Sequence, residues 1–193
     1  LKMEIQKRGF IHIYFGKGKG KTTAAIGLII RHLGYGGKVA FLQFDKGHDK
    51  EEHYNERKIL RTLKNIDLFV TGKERMINGK FRFGNTKEDY EEAVRGLNIL
   101  KDLIKNNDKN NYGLIVVDEL LSAMTYNLIK KEDVLEIINL FKLYKNPFEF
   151  ILTGRIENGN LNLFTDKVDL ITEMKLVKHY YDEGILAREG IEY

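Results

Sequence analysis

The chain of 193 residues contains no cysteine, which excludes disulfides, thiolate metal sites and a cysteine nucleophile. It holds a single proline and 42% apolar residues, a composition that fits one globular domain over residues 1–193 with a sizeable core. It lacks an apolar run long enough to span a membrane and lacks a signal-like segment, so the expectation is a cytoplasmic protein with no membrane partner. An excess of one charge sign is also missing. The net charge is +4 with acids and bases mixed, so no nucleic-acid surface is called for. Internal repeats and low-complexity linkers are absent. The opening Leu1-Lys2-Met3 reads as an added remnant ahead of a native start at Met3.

What is present is organised around Gly16-Lys17-Gly18-Lys19-Gly20-Lys21-Thr22-Thr23. Residues 10–15 before it are β-branched and aromatic, as a strand requires, and residues 22–33 after it repeat apolar side chains at helical spacing. Strand, glycine-rich turn and helix together form a P-loop layout. Its backbone amides cradle phosphates at a helix N-terminus, Lys21 reaches phosphate as a solvent-facing loop residue, and the Thr22 hydroxyl serves Mg²⁺. The expected ligand is a nucleoside triphosphate. The usual pattern would place glycine at position 15, where this chain has Phe15, and Gly16 and Gly18 appear instead, so the loop should have a shape of its own.

Further along, residues 38–44 read as a buried strand, and residues 49–64 as a polar stretch with a narrow apolar stripe. Residues 66–70 form a short strand and 71–85 a long loop containing Phe81-Arg82-Phe83. Residues 86–106 make a helix capped by Thr86 and Asp89. Residues 113–119 form an apolar strand ending in Asp118 and Glu119. Helical patterns follow over 120–127 and 131–144, then strands over 148–153 and 168–177, and an irregular tail from 178. Strands alternating with helices predict an α/β fold: a mostly parallel sheet with helices on both faces, P-loop NTPase-like and RecA-like. Ligands should sit at the carboxyl ends of its strands.

Asp118 and Glu119, after four apolar strand residues, have the Walker B arrangement and are candidate Mg²⁺ ligands. Arg155, just beyond another strand, is placed to contact phosphate oxygens. His12, His32, His48 and His53 lack metal-ligand spacing and read as structural or solvated. From these residues alone, an ATPase or kinase acting on the γ-phosphate and a non-catalytic nucleotide-sensing module both remain open.

Several segments in order resemble the P-loop-type ATP:corrinoid adenosyltransferases. They are residues 16–25, Val39 to Gly47, residues 116–120, Thr153-Gly154-Arg155, and the tail from Val177-Lys178-His179 to Gly190-Ile191-Glu192-Tyr193. The shifted glycine pattern is also the family's own. The resemblance implies transfer of the 5′-deoxyadenosyl group of ATP to Co(I) of a corrinoid, releasing triphosphate and forming adenosylcobalamin. By motif position, Lys21 and Glu119 are catalytic. Gly16, Lys17, Gly18, Lys19, Gly20, Lys21, Thr22, Thr23 and Arg155 bind ATP, and Thr22, Glu119 and Asp118 serve Mg²⁺. Phe81, Phe83 and His179 are assigned to the corrinoid, which is cobalamin or a cobyrinate-type intermediate. An electron-donating flavoprotein and a homodimer are implied partners. Two departures stand out. Longer members carry a helical segment ahead of the first strand that can cover the active site; here the strand is expected to begin near Phe10, so that cover is either missing or supplied otherwise. The loop after Thr71-Gly72 interposes Lys73-Glu74-Arg75-Met76 before its aromatics.

Overall fold

The computed structural model describes residues 8–47, 53–77, 80–145, 147–157 and 159–193, without the side chains of residues 76, 77, 80 and 81. Six strands form one sheet: β1 (Ile11–Phe15), β2 (Val39–Gln43), β3 (Ile66–Val70), β6 (Leu114–Asp118), β7 (Glu149–Gly154) and β8 (Leu170–Glu173). A separate two-stranded hairpin pairs β4 (Met76–Ile77) with β5 (Lys80–Phe81). The helices are α1 (Lys21–Gly34), α2 (Glu56–Leu60), α3 (Lys87–Lys105), α4 (Asn107–Asn110), α5 (Leu120–Thr125) and α6 (Lys131–Leu143).

The main sheet runs β3-β2-β6-β7-β1-β8 with every pair parallel. This matches the fold expected from the alternating pattern. Strand periodicity explains the layers. In β2, Val39 and Phe41 face one way with Ala25 and Ile29 of α1, while Ala40 and Leu42 face the other way with Leu97 and Leu100 of α3. The same alternation in β6 sends Leu114 and Val116 to one core and Ile115 and Val117 to the other. A strand buried on both faces must be apolar at every position, which is why these segments read as continuous runs.

Parallel register brings Phe15 opposite Gly154 and Gln43 opposite Asp118, so the carboxyl ends of β1, β2, β6 and β7 lie along one edge of the sheet. That edge holds every loop-borne group discussed below.

Three details differ from the sequence reading. The last strand is shorter than residues 168–177, because beyond Glu173 the Met174 amide donates to the Phe15 carbonyl and the Met174 carbonyl accepts from Gly18. The chain there leaves the sheet for the glycine loop. The long loop of 71–85 folds partly into the β4–β5 hairpin. Of the polar stretch 49–64, only Glu56–Leu60 is helical among the described residues, and 48–52 lie outside them.

Candidate functional site

The unusual glycine spacing has a packing cause. Phe15 ends β1 inside the core, so the turn starts one residue later, at Gly16 with φ of 120°. A Cβ on Gly16 or Gly18 would lie 2.5 or 2.6 Å from the Met174 carbonyl oxygen, and the Gly18 amide donates to that oxygen at 2.8 Å. Gly20, with φ of 113°, then turns the chain into α1. Two glycines thus admit a neighbouring backbone and one opens the helix.

Lys21 is not the solvent-facing residue that its loop position suggests. It is 9% exposed, and its Nζ donates to the Gly16 and Gly18 carbonyls, each at 2.9 Å. Burial pushes its pKa down, as do the positive charges of Arg155 and Lys46, while Glu119 and Asp118 act in the opposite sense. Three cations and two acids therefore share one small volume.

The acids are organised by hydroxyls. Asp118 is fully buried and accepts from Thr22 Oγ1 at 3.0 Å and from Thr153 Oγ1 at 2.5 Å. Thr153 Oγ1 in turn accepts the Glu119 amide at 3.1 Å. Burial raises the Asp118 pKa, against the opposing ammonium of Lys46. Glu119 adopts φ of 61°, a left-handed conformation that a non-glycine residue holds only at a cost of about 1 kcal/mol or more. The surrounding hydrogen bonds enforce it. Thr22, Asp118 and Glu119 are hard oxygen donors, and the Lys46 ammonium attracted to the same two acids shows that the place favours a cation. The set fits Mg²⁺, which takes one or two carboxylates and completes its shell with water and phosphate. Among the described residues no group of three or more His, Cys, Asp or Glu side chains forms a metal cluster of another kind.

Lys17, Lys19, Thr22, Thr23, Glu119 and Arg155 line one cavity of about 240 Å³. The tail closes its outer side. Lys19 Nζ donates to Glu192 Oε1 at 2.6 Å and to the Ile191 carbonyl at 2.7 Å, and Tyr180 also donates to Glu192. Tyr193 continues across, stacked on His53 at 4.2 Å, with its carbonyl accepting from Asn55.

His179 lies in the same loop cavity, with Nδ1 accepting the Tyr181 amide. Phe83 does not line that cavity. Phe83 is 85% exposed and lines a different cavity of about 430 Å³ with Asp45, Arg75, Asn85 and Tyr126. Phe81 sits in β5 opposite Met76, its side chain outside those described. A third cavity, of about 400 Å³, joins the two regions: it shares Asp45, Arg75 and Tyr126 with the Phe83 side and Glu119 and Arg155 with the loop side.

Besides Glu119 and Arg155, this middle cavity is built by residues to which sequence reasoning gave no role. Lys46 lies within the Val39–Gly47 segment, and its signal is its position just past a fully buried strand. Asp45 and Arg75 form a close ion pair at 2.8 Å, which ties the interposed hairpin to β2. No spacing rule links residues so far apart in the chain.

Residues 7–193 match the family model of the ATP:corrinoid adenosyltransferases BtuR/CobO/CobP. The chain belongs to this adenosyltransferase family. A corrinoid adenosyltransferase from Sinorhizobium sp is 32% identical over 98% of this chain and 83% of its own length. Corrinoid adenosyltransferase CobA from Salmonella typhimurium is 29% identical over 97% and 87%. Solved structures share the fold at much lower identity. The adenosyltransferase superposes on flagellar accessory protein FlaH from Methanocaldococcus jannaschii with TM-score 0.57 at 12% identity, covering 90% of this chain and 74% of that one. A KaiC-like protein from Pyrococcus horikoshii gives TM-score 0.51 at 14% identity, covering 87% and 74%. Both likenesses concern the fold alone.

Proposed function

We propose that this corrinoid adenosyltransferase seats the triphosphate of ATP on the amides of residues 16–22, with the ribose 5′-carbon turned into the cavity bounded by Glu119, Tyr126 and Arg155 and the corrinoid lying toward Phe83. The supporting observation is that the three cavities are neighbours through shared lining residues, in a row from the loop to the exposed aromatic.

Co(I) is itself the nucleophile, so the protein has no proton to abstract. Its tasks are alignment and stabilisation of the leaving triphosphate. Lys21 exchanges the Gly16 and Gly18 carbonyls for phosphate oxygens. Arg155 borders both the loop cavity and the middle cavity, and spans the boundary between triphosphate and nucleoside. Thr22, Glu119 and Asp118 would hold Mg²⁺, whose charge would offset that of the phosphates. Phe83 presents an apolar face where the lower side of a corrin would lie, excluding water from the cobalt. The Co(I) state calls for a low-potential electron donor, which we assign to a flavoprotein, in the reducing cytoplasm. A homodimer is the assembly we assign to the enzyme.

A single-turnover mixture of reduced cobalamin, ATP and Mg²⁺ tests this reading through the corrinoid spectrum and the phosphate products. The expected outcome is adenosylcobalamin with triphosphate, and in Glu119→Gln a weakened Mg²⁺-dependent activity with nucleotide binding retained. Formation of ADP, or a Glu119→Gln variant with wild-type rate and Mg²⁺ requirement, overturns it.

A further inference from the structure

The segment beyond β2 is held from several sides at once. Arg57 is fully buried and donates from Nε to Gln43 Oε1 and from Nη2 to the Lys46 carbonyl, both at 2.8 Å. The Lys46 amide donates to the Thr71 carbonyl at 3.1 Å. The Tyr54 ring lies near both cations, 4.8 Å from the Arg57 guanidinium carbon and 4.6 Å from Lys46 Nζ. A buried guanidinium is costly unless its hydrogen bonds are met, and here one of them fixes the backbone of Lys46. A surface lysine has no need of such support.

The support aims Lys46 at the acids. Its side chain is 15% exposed, and its Nζ is 3.9 Å from Asp118 Oδ2 and 3.9 Å from Glu119 Oε1. That separation is too long for a hydrogen bond to either carboxylate but short enough for strong attraction to both. The ammonium is therefore shared between the acids, and it forms part of the wall of the middle cavity. In the displacement, the Co(I) electron pair forms the bond to the 5′-carbon as the C–O bond to triphosphate breaks, and that bonding pair leaves on the ester oxygen. Negative charge thus grows at the reacting end of the triphosphate, on the middle-cavity side of the loop. Lys21 is held on the loop side by the Gly16 and Gly18 carbonyls.

We propose that Lys46 is a further catalytic residue of the adenosyl transfer: a cation held on Asp118 and Glu119 in the nucleotide-free protein, which moves to the phosphate oxygen bearing the departing charge once Mg²⁺ engages those acids. The proposal rests on the triphosphate placement given under Proposed function.

Lys46→Met tests it through two readouts. Mn²⁺ binding to the nucleotide-free protein, followed by electron paramagnetic resonance of free Mn²⁺, should tighten severalfold because the acids lose their internal counter-cation. Single-turnover adenosylation at saturating ATP, with Co(I) generated chemically in advance, should slow on the order of 100-fold with little change in KM for ATP. Lys46→Gln serves the same purpose if the methionine variant does not fold. An unchanged Mn²⁺ affinity, or a rate within about threefold of wild type by the same measure of transition-state loss, overturns the proposal. A lower melting temperature with unchanged Mn²⁺ affinity would mark Lys46 as structural, and also overturns it. If the wild-type protein makes no adenosylcobalamin, the proposed function fails, while the Mn²⁺ arm still decides whether Lys46 guards the acids.

Discussion

Lys19 Nζ lies 2.6 Å from Glu192 Oε1, joining the glycine loop to the tail across most of the chain. Glu192 also accepts from the Arg188 amide at 2.7 Å, and these contacts hold its carboxyl well below the usual range. The pair should therefore persist at neutral pH and weaken only in acid. Glu192→Ala should free residues 188–193 from the loop, seen as faster amide exchange at Ile191 and Glu192. Unchanged exchange would mean that the contacts remaining at Ile191 and Tyr193, to Lys19, Asn55 and His53, hold the tail without Glu192.

Lys21→Met tests the loop lysine while preserving its buried stem. Loss of a charged phosphate contact should cost on the order of 2–4 kcal/mol in the transition state, a rate loss of roughly 30- to 1,000-fold. The melting temperature should fall modestly as well, because the bonds to Gly16 and Gly18 are lost. Wild-type turnover in this variant would exclude a phosphate role.

Arg82 pairs with Asp89 through two hydrogen bonds, at 2.7 and 2.8 Å, and Asp89 also caps α3 through Thr86. Burial opposes the ionised form, but Arg82 and Thr86 prevail and hold the Asp89 pKa at about 2. A depressed folded value stabilises the protein above the unfolded value near 3.8, and the contribution is lost as pH falls toward 2. It is worth about 2 kcal/mol, at roughly 1.36 kcal/mol per unit. Asp89→Asn should lower stability by that order at pH 7, with the difference from wild type shrinking in acid denaturation. A gap that stayed constant down to pH 2 would contradict this account.

The same ion pair turns Arg82 inward and leaves Phe83 outward. Phe83→Ala should leave the melting temperature almost unchanged, since the ring is 85% exposed. It should impair adenosylation when Co(II)alamin must be reduced on the enzyme, and recover when Co(I) is supplied. Electron paramagnetic resonance of Co(II)alamin with ATP checks this: the wild type should give a four-coordinate signal that the variant loses. Full retention of the signal would remove Phe83 from the corrinoid face.

The sequence by itself determined the parallel α/β frame, because strands buried on both faces must be apolar throughout and the glycine loop must lie between a strand and a helix. It also marked Lys21, Thr22, Asp118, Glu119 and Arg155, whose chemistry is local to strand ends. Only the tertiary structure decided that Gly16 and Gly18 make room for the Met174 carbonyl, that His179 lines the cavity of the glycine loop, and that Glu192 meets Lys19. It alone aimed Lys46 at the acid pair, through an arginine buried beneath a tyrosine. Each of these depends on segments brought together by the strand order and on the room left between their backbones. A linear pattern records side-chain type and spacing, not which distant carbonyl or carboxylate will stand opposite.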